Sequence, residues 1–356
     1  MRSVHGFSFS AVTAWLDRVD PGTHRRIKGL RLVSAYAVAW MLGALPGLAP
    51  GLHGRAAIPV LAAGIALWAS VSEARIKRAD SSRDLLVLVA AGMVGAVLMI
   101  LLGSLLTGPD LPGPEAALLI GAFAVGYMRR YGVLGAGIGS QIFMGQLYAF
   151  TAGVKLDDLP MVAVAGLVAM VAAVVPRVLS GPAEHPALAR EEPIPAGLTP
   201  QSVAVRMGLQ GAASALVIVL LSDAVRLQES AWAITACTYV IAGSRASTLL
   251  RVRRRILGTA VGVPLGLALL PVATDLPVLV FAAAAVAMVI YAMALPERYD
   301  IACGAYAFAL IITLYATGQA SSIGLLLSRG WETLIGGALG LLAALAFMPR
   351  REAVPP

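Results

Sequence analysis

Charge is scarce in this chain: Asp, Glu, Lys and Arg make up 13% of its 356 residues, against 59% hydrophobic residues and a mean hydropathy of +0.83. So little polar surface cannot coat a soluble globule of this length, and the chain belongs in a bilayer. Cysteine is nearly absent. Cys237 and Cys303 lie within apolar runs, which argues against a disulfide scaffold and says little of compartment. The four histidines, His5, His24, His53 and His185, all fall outside the long apolar runs. The adjacent acidic pair Asp157-Asp158, outside those runs, has no His or Cys nearby to complete a metal or catalytic cluster. No enzyme, metal site or cofactor is expected. Lysine is rare too: 24 of the 27 basic residues are Arg, and the Ala/Gly/Arg-rich style reads as codon bias more than as bidentate anion recognition. The N-terminus, MRSVHGFSFSAVTAWLDRVD, lacks the continuous apolar core and small-residue cleavage site of a signal peptide, so it is expected to stay on the mature chain. Phe9, Val12, Trp15, Leu16 and Val19 recur at helical spacing, which predicts a cytoplasmic interfacial helix within residues 1–28; a partly disordered tail is the alternative.

What the chain does contain is an echo. Arg130-Tyr131 followed by Leu147-Tyr148-Ala149 returns 168 residues later as Arg298-Tyr299 followed by Leu314-Tyr315-Ala316. Pro176-Arg177 and Pro349-Arg350 each follow a long apolar run and close a copy. A duplicated hydrophobic chain is the usual ground plan of a membrane transporter.

About 20 apolar residues of helix cross a bilayer core. The first half offers spans near 30–48, 56–74, 85–106, 116–128, 132–152 and 160–175, and the second near 203–221, 231–244, 256–271, 276–295, 301–317 and 330–348. The expectation is an all-α polytopic membrane protein of about twelve helices, built as two parallel six-helix repeats over 29–179 and 201–349. A Pro-rich cytoplasmic linker (180–200) joins them and a short tail (350–356) follows. With the N-terminus in the cytoplasm, 23 of the 27 Lys and Arg lie on that side; Arg55, Lys155, Arg226 and Arg329 are the exceptions. That is the positive-inside pattern, and it places both termini in the cytoplasm of a bacterial inner membrane. The net charge of +8 thus follows the loops and gives no reason to invoke nucleic acid.

Several polar groups interrupt the apolar spans, and each carries two readings. Gly258, Gly262 and Gly266 step along one ridge of the ninth span, either for close helix packing or as a backbone-lined path, with Thr259 beside them. Arg245, Arg251, Arg253, Arg254 and Arg255 anchor topology or form an electropositive vestibule for anions. In the twelfth span Arg329, Glu332, Thr333, Gly336 and Gly340 share a face. Glu332 and Arg329 either anchor the helix at the outer interface or form a gate, with Glu332 a candidate proton carrier. Gln141, with Gln146 beyond it, reads as interhelical glue or as the lining of a polar cavity. Thr235, Thr238, Tyr239 and Gln210 are weaker members of that set. Tyr131, Tyr148, Tyr299 and Tyr315 are expected mainly in interfacial belts, with an aromatic substrate contact as the rival reading.

WLDRVDPG, RRRILGTAVGVPLG, PERYDIACGAY and RGWETLIGGALGLLAAL, in that order, make most of the chain resemble the fusaric acid resistance family, also called the aromatic acid exporter family; the likeness is strongest from Ala231 to Arg350. The resemblance extends more distantly to plant aluminium-activated malate transporters. It implies export of small, often aromatic, carboxylic acids across the inner membrane. Arg255, Gly258, Thr259 and Gly262 match one family motif, and Arg329, Thr333 and Gly336 match another, in which Glu332 stands where Asp is common. The family's large cytoplasmic domain has no counterpart here, and the first copy lacks the Arg255-type motif.

The leading expectation is a secondary exporter of organic anions, working by alternating access and driven by a proton gradient or the membrane potential. Anions would collect at Arg251 to Arg255 and leave past Arg329 and Glu332. An organic-anion channel and a non-transporting membrane partner of an envelope complex are the alternatives. The bilayer and a small organic anion are the expected partners, and homo-oligomerisation stays open.

Overall fold

The computed structural model describes residues 14, 16–18, 20–108, 111–180, 198–225, 227, 230–318 and 323–348. The expected interfacial helix (but for Leu16), most of the linker, Arg226 and the tail from Pro349 lie outside the described residues. Among the described residues the fold is helical, with no strand. The first half contains α1 (His24–Gly43), α2 (Ile58–Ser72), α3 (Arg78–Leu105), α4 (Leu118–Tyr127), α5 (Gly132–Thr151) and α6 (Leu159–Leu179). The second contains α7 (Pro200–Val225), α8 (Ser230–Tyr239), α9 (Arg245–Asp275), α10 (Pro277–Ala294), α11 (Tyr299–Ala316) and α12 (Ile323–Phe347). Among the described residues seven segments are long and apolar enough to cross a membrane by length and composition: Arg55–Ser72, Arg78–Leu105, Pro114–Thr151, Leu156–Leu179, Pro200–Ser222, Tyr299–Ala316 and Leu327–Phe347. The protein is a polytopic helical membrane protein.

With little hydrophobic drive between helices in lipid, close backbone contact decides which helices pair. In the first half α3 packs along α5, and α6 packs against α1, α2 and α3. Gly95 of α3 abuts the Ile142 carbonyl, and Gly145 of α5 abuts the Gly92 carbonyl. In the second half α9 packs along α11, and α12 packs against α7, α8 and α9. Gly258 there meets the Asp300 carbonyl, and Gly262 meets Gly304. Across the halves, α4 lies on α7 and α10 lies on α1. Gly126 of α4 sits against the Met207 and Gly208 backbone, and Gly29 of α1 sits 2.9 Å from Val289 Cα, measured from where a Cβ would stand.

Several helix boundaries differ from those expected by a few residues, and two of them shape the site. α9 begins at Arg245, well before Ile256, because Ser244 caps it: the Ser247 N–H donates to Ser244 Oγ at 3.2 Å. The arginines at 251 and 253–255 therefore ride on a helix. α8 stops at Tyr239 and not at Ser244, leaving Val240 to Ser244 as buried irregular backbone. Such backbone survives at membrane depth only when protein groups satisfy it. Arg251 Nη1 donates to the Ile241 carbonyl (2.7 Å), and the Ala242 N–H donates to Thr248 Oγ1 (3.3 Å).

The matching segment after α2, residues 73–77, is held by charge. Buried Glu73 lies 3.7 Å from Arg31, and Lys28 Nζ donates to its carbonyl at 2.8 Å. Arg177, almost fully buried, donates to Ser81 Oγ (2.6 Å) and to the Ile76 carbonyl (3.0 Å).

Candidate functional site

The two shortened helices bring Trp68 of α2 and Tyr239 of α8 together between the halves. Their rings stack at 6.4 Å with 19° between planes. Tyr306 of α11 and Tyr291 of α10 meet Trp68 edge-on at 5.6 and 6.1 Å, and Phe143 of α5 meets Tyr239 at 5.8 Å. These separations suit edge-to-face attraction between ring quadrupoles. Trp68 lies ten residues into α2, roughly 15 Å along it, and so near the middle of a core about 30 Å thick.

The polar atoms of Trp68 and Tyr239 are bonded, as the low dielectric demands. Trp68 Nε1–H donates to the Tyr148 hydroxyl at 3.1 Å, and the Tyr239 and Ser140 hydroxyls share a bond at 2.7 Å. The Tyr299 hydroxyl donates to the Tyr239 carbonyl at 3.3 Å and receives Arg255 Nη1 at 3.4 Å. Trp68 is buried, yet Tyr36, Tyr148, Tyr239, Tyr291, Tyr299 and Tyr306 keep accessible surface, although helices from both halves surround them. The space they border is a crevice at the junction of the halves.

Arg255 is the cation of this crevice. Its Nε is buried and makes no hydrogen bond among the described residues, so one donor remains for an anion. Its neighbours are engaged as staples: Arg245 donates from Nε to the Met348 carbonyl and from Nη2 to the Leu345 carbonyl, both at 2.6 Å, and Arg254 donates to the Glu297 carbonyl at 2.9 Å. The first pair closes the C-terminus of α12, where a cation also meets the negative end of the helix dipole. Arg329 lies buried with its guanidinium 3.8 Å over the Trp232 ring, and Glu332 is fully buried one turn on. Tyr306 stands in the field of both Arg255 and Arg329.

The other expected residues occupy helix seams. Gln141 is fully buried against Gly92 and Ile65, with neither amide atom hydrogen-bonded among the described residues; Gln146 Nε2 donates to the Ala117 carbonyl at 2.9 Å. Thr235 and Thr333 donate back to the carbonyls of Ala231 (2.8 Å) and Arg329 (2.7 Å), and Thr259 is buried. Gly336 abuts the Ala233 carbonyl, Gly340 packs on Val240 and Cys237, and Gly266 packs on Ile311. Tyr148 and Tyr299 bond inside the bundle and are not belt residues, whereas Tyr131 is 56% exposed. Both cysteines are free and buried, and the described residues contain no group of three or more His, Cys, Asp or Glu that could hold a metal.

Below the crevice, Arg25 of α1 grips Glu297 of the α10–α11 turn with two bonds, 2.9 and 2.8 Å, joining the halves. The same guanidinium holds the Glu297 carboxyl below its ordinary range.

Residues 215–343 match the family model described as fusaric acid resistance protein-like. The resemblance to the fusaric acid resistance family carried by the Arg255 and Arg329 motifs is upheld over that stretch. It includes Tyr239, Arg255, Tyr291, Tyr299, Tyr306, Arg329 and Glu332. No curated protein and no solved structure matches the chain. A fusaric acid resistance protein-like stretch within a bundle of long apolar helices supports a transporter-type membrane function.

Trp68, Phe143, Tyr291 and Tyr306 were not among the residues singled out from sequence. For Trp68, Tyr291 and Tyr306 the signal was there: a ring bearing an N–H or O–H in mid-span calls for polar surroundings inside the protein, unlike one at a span end.

Proposed function

We propose that the chain exports small organic anions, aromatic carboxylates foremost, across a bacterial inner membrane, and that the crevice between α2 and α8 is its substrate site. The observation that carries this reading is the Trp68–Tyr239 stack, edged by Tyr291 and Tyr306, beside an arginine with an unpartnered Nε. A planar ring suits the aromatic walls and a carboxylate suits Arg255. Arg251 and Arg254 contribute positive potential on the cytoplasmic approach, while Arg329, on the far side of Tyr306, receives the anion on its way out, with Glu332 beside it.

We further propose twelve spans in two parallel six-helix repeats, with both termini cytoplasmic. In support, α3 on α5 and α6 on α1, α2 and α3 recur as α9 on α11 and α12 on α7, α8 and α9, and the α4–α7 contact recurs as α10–α1. Such symmetry suits alternating access by rocking of one half against the other. A potential negative inside drives an anion outward, at about 2.3 kcal/mol per charge per 100 mV.

The test loads proteoliposomes of the full chain with benzoate or cyclohexanecarboxylate and measures efflux under an imposed potential. Benzoate is expected to leave faster. Arg255→Gln is expected to weaken apparent affinity about 10- to 100-fold, the worth of one hydrogen bond to a charge. Unchanged efflux in a well-folded Arg255→Gln protein would sink the site. Unitary currents in a planar bilayer would replace the carrier with a channel, and unaltered proton dependence in Glu332→Gln would remove Glu332 from coupling.

A further inference from the structure

On the side of α11 away from α12, helices α9, α10 and α11 leave an open groove of about 730 Å³. Leu257, Val261 and Leu265 form one wall, Val286 and Ile290 the other, and Phe308 closes the floor over Gly304. The wall residues are exposed, so the groove faces the lipid. Leu257 to Leu265 spans eight residues, about 12 Å of helix. One acyl chain is slimmer than a helix about 10 Å across and can lie along an open groove of this length.

The groove is charged at one end only. Arg253 is exposed and lies four residues before Leu257, on the same stripe as Leu257, Val261 and Leu265. Asp300 lines the groove at that end and is neutralised by Arg298 at 2.9 Å, and Glu297 is engaged by Arg25 at 2.8 Å, which leaves Arg253, with Arg254 on the Glu297 carbonyl, as the net charge of the mouth. The mouth is therefore cationic while the rest is apolar, which is the division of a phospholipid into phosphate and acyl chain.

We propose that this groove seats an anionic phospholipid of the leaflet that meets Arg253, one acyl chain lying between α9 and α10 and the phosphate bonding Arg253. The lipid wedges the loosely packed α10 against α9 and α11. The site is separate from the crevice and does not rest on the export reading.

The purified full chain in detergent would be incubated with phosphatidylglycerol or with phosphatidylcholine of the same chains, and bound lipid counted by native mass spectrometry. Retention of phosphatidylglycerol over phosphatidylcholine is expected, with Arg253→Gln reducing that preference about fivefold, the contribution of one arginine near a phosphate surface. Val261→Trp and Val286→Trp fill the groove from opposite walls and should each abolish retention; both side chains already face lipid, and if one variant fails to fold the other carries the test. Equal retention of the two lipids by the wild type would overturn the proposal. So would unchanged retention in a folded tryptophan variant, or a dimer that the tryptophan variants split without loss of lipid.

Discussion

Replacing Gly262 with alanine should open the second half at its tightest seam. A Cβ there falls on the Gly304 carbonyl, with the carbonyl carbon and Cα of Gly304 both 2.9 Å away. These are backbone atoms of a helix and cannot rotate aside. Restoring an ordinary carbon contact of about 3.5–4.0 Å requires α9 and α11 to part by roughly 1 Å. Overpacking of this kind costs about 1–3 kcal/mol. Gly330 of α12 is the control, because nothing lies within 4 Å of the Cβ it would gain. Alanine at 330 brings only the helix-propensity gain, up to about 1 kcal/mol, which the change at 262 shares, so the two variants should differ by the overpacking cost of about 1–3 kcal/mol. Denaturant unfolding of both proteins in the same detergent measures that gap. Transport should separate them too, since Arg255 sits two turns before Gly262 and its 3.4 Å bond to Tyr299 depends on the position of α9. Two alanine variants of equal stability would refute the claim that backbone contact, and not side-chain fit, holds α9 to α11.

Three further outcomes follow from other contacts. Trp68→Phe removes the donor to Tyr148 and is expected to cost about 0.5–1.5 kcal/mol; it should also abolish any quenching of tryptophan emission by bound aromatic acid, and persistence of the quench would move the ligand away from Trp68. Ser81→Ala leaves buried Arg177 without its 2.6 Å acceptor and should cost about 1.5–3 kcal/mol in the same unfolding assay, whereas a neutral result would mean that residues 73–77 are held by Glu73 alone. Because Arg25 lowers the Glu297 pKa, the contribution of that pair is present above the ordinary carboxylate range and disappears as pH falls through the lowered value. Hydrogen-exchange protection across residues 295–298, taken relative to the intrinsic rate at each pH, should accordingly fall on acidification in the wild type but be low at every pH in Glu297→Gln; identical profiles would dismiss the link.

The helices were legible because apolar runs near bilayer length are interrupted by Arg, Pro and Gly, and those interruptions lie where the chain turns. What was not legible was where a helix stops inside an apolar run. Val240 to Ala242 look like helix by composition, but the Ile241 carbonyl and Ala242 N–H are taken by Arg251 and Thr248 from the next element, and that pairing exists only after folding. The arginine cluster had the same difficulty. Arg251, Arg254 and Arg255 are alike as letters, and only packing turns the first two onto carbonyls while leaving a buried donor on the third. Tyr148 and Tyr299 misled in the opposite direction, since a tyrosine near a span end is an ordinary belt residue until Trp68 or Arg255 is seen to reach it.

The two halves use similar packing for different ends, and the difference is electrostatic. After α2, the buried break is gripped by Arg31, Lys28 and Arg177 around Glu73 and Ser81, a closed set with its own carboxylate. After α8, Arg251 and Arg245 bond carbonyls across the equivalent break, and Arg255 bonds a tyrosine hydroxyl while its buried Nε has no partner among the described residues. Neutral dipoles cannot cancel a full positive charge in a low dielectric as a paired carboxylate does. On the proposed export reading Arg255 thus keeps positive potential next to the aromatic crevice, and a carboxylate arriving there would complete what Glu73 supplies to the first half. Introducing a fixed carboxylate by Tyr299→Glu, in place of the hydroxyl that receives Arg255 Nη1, should mimic that arrival and exclude anions from Arg255. The expected result is a folded protein that no longer exports benzoate. A Tyr299→Glu protein that folds and still exports at the wild-type rate would refute the electrostatic asymmetry as the basis of anion binding.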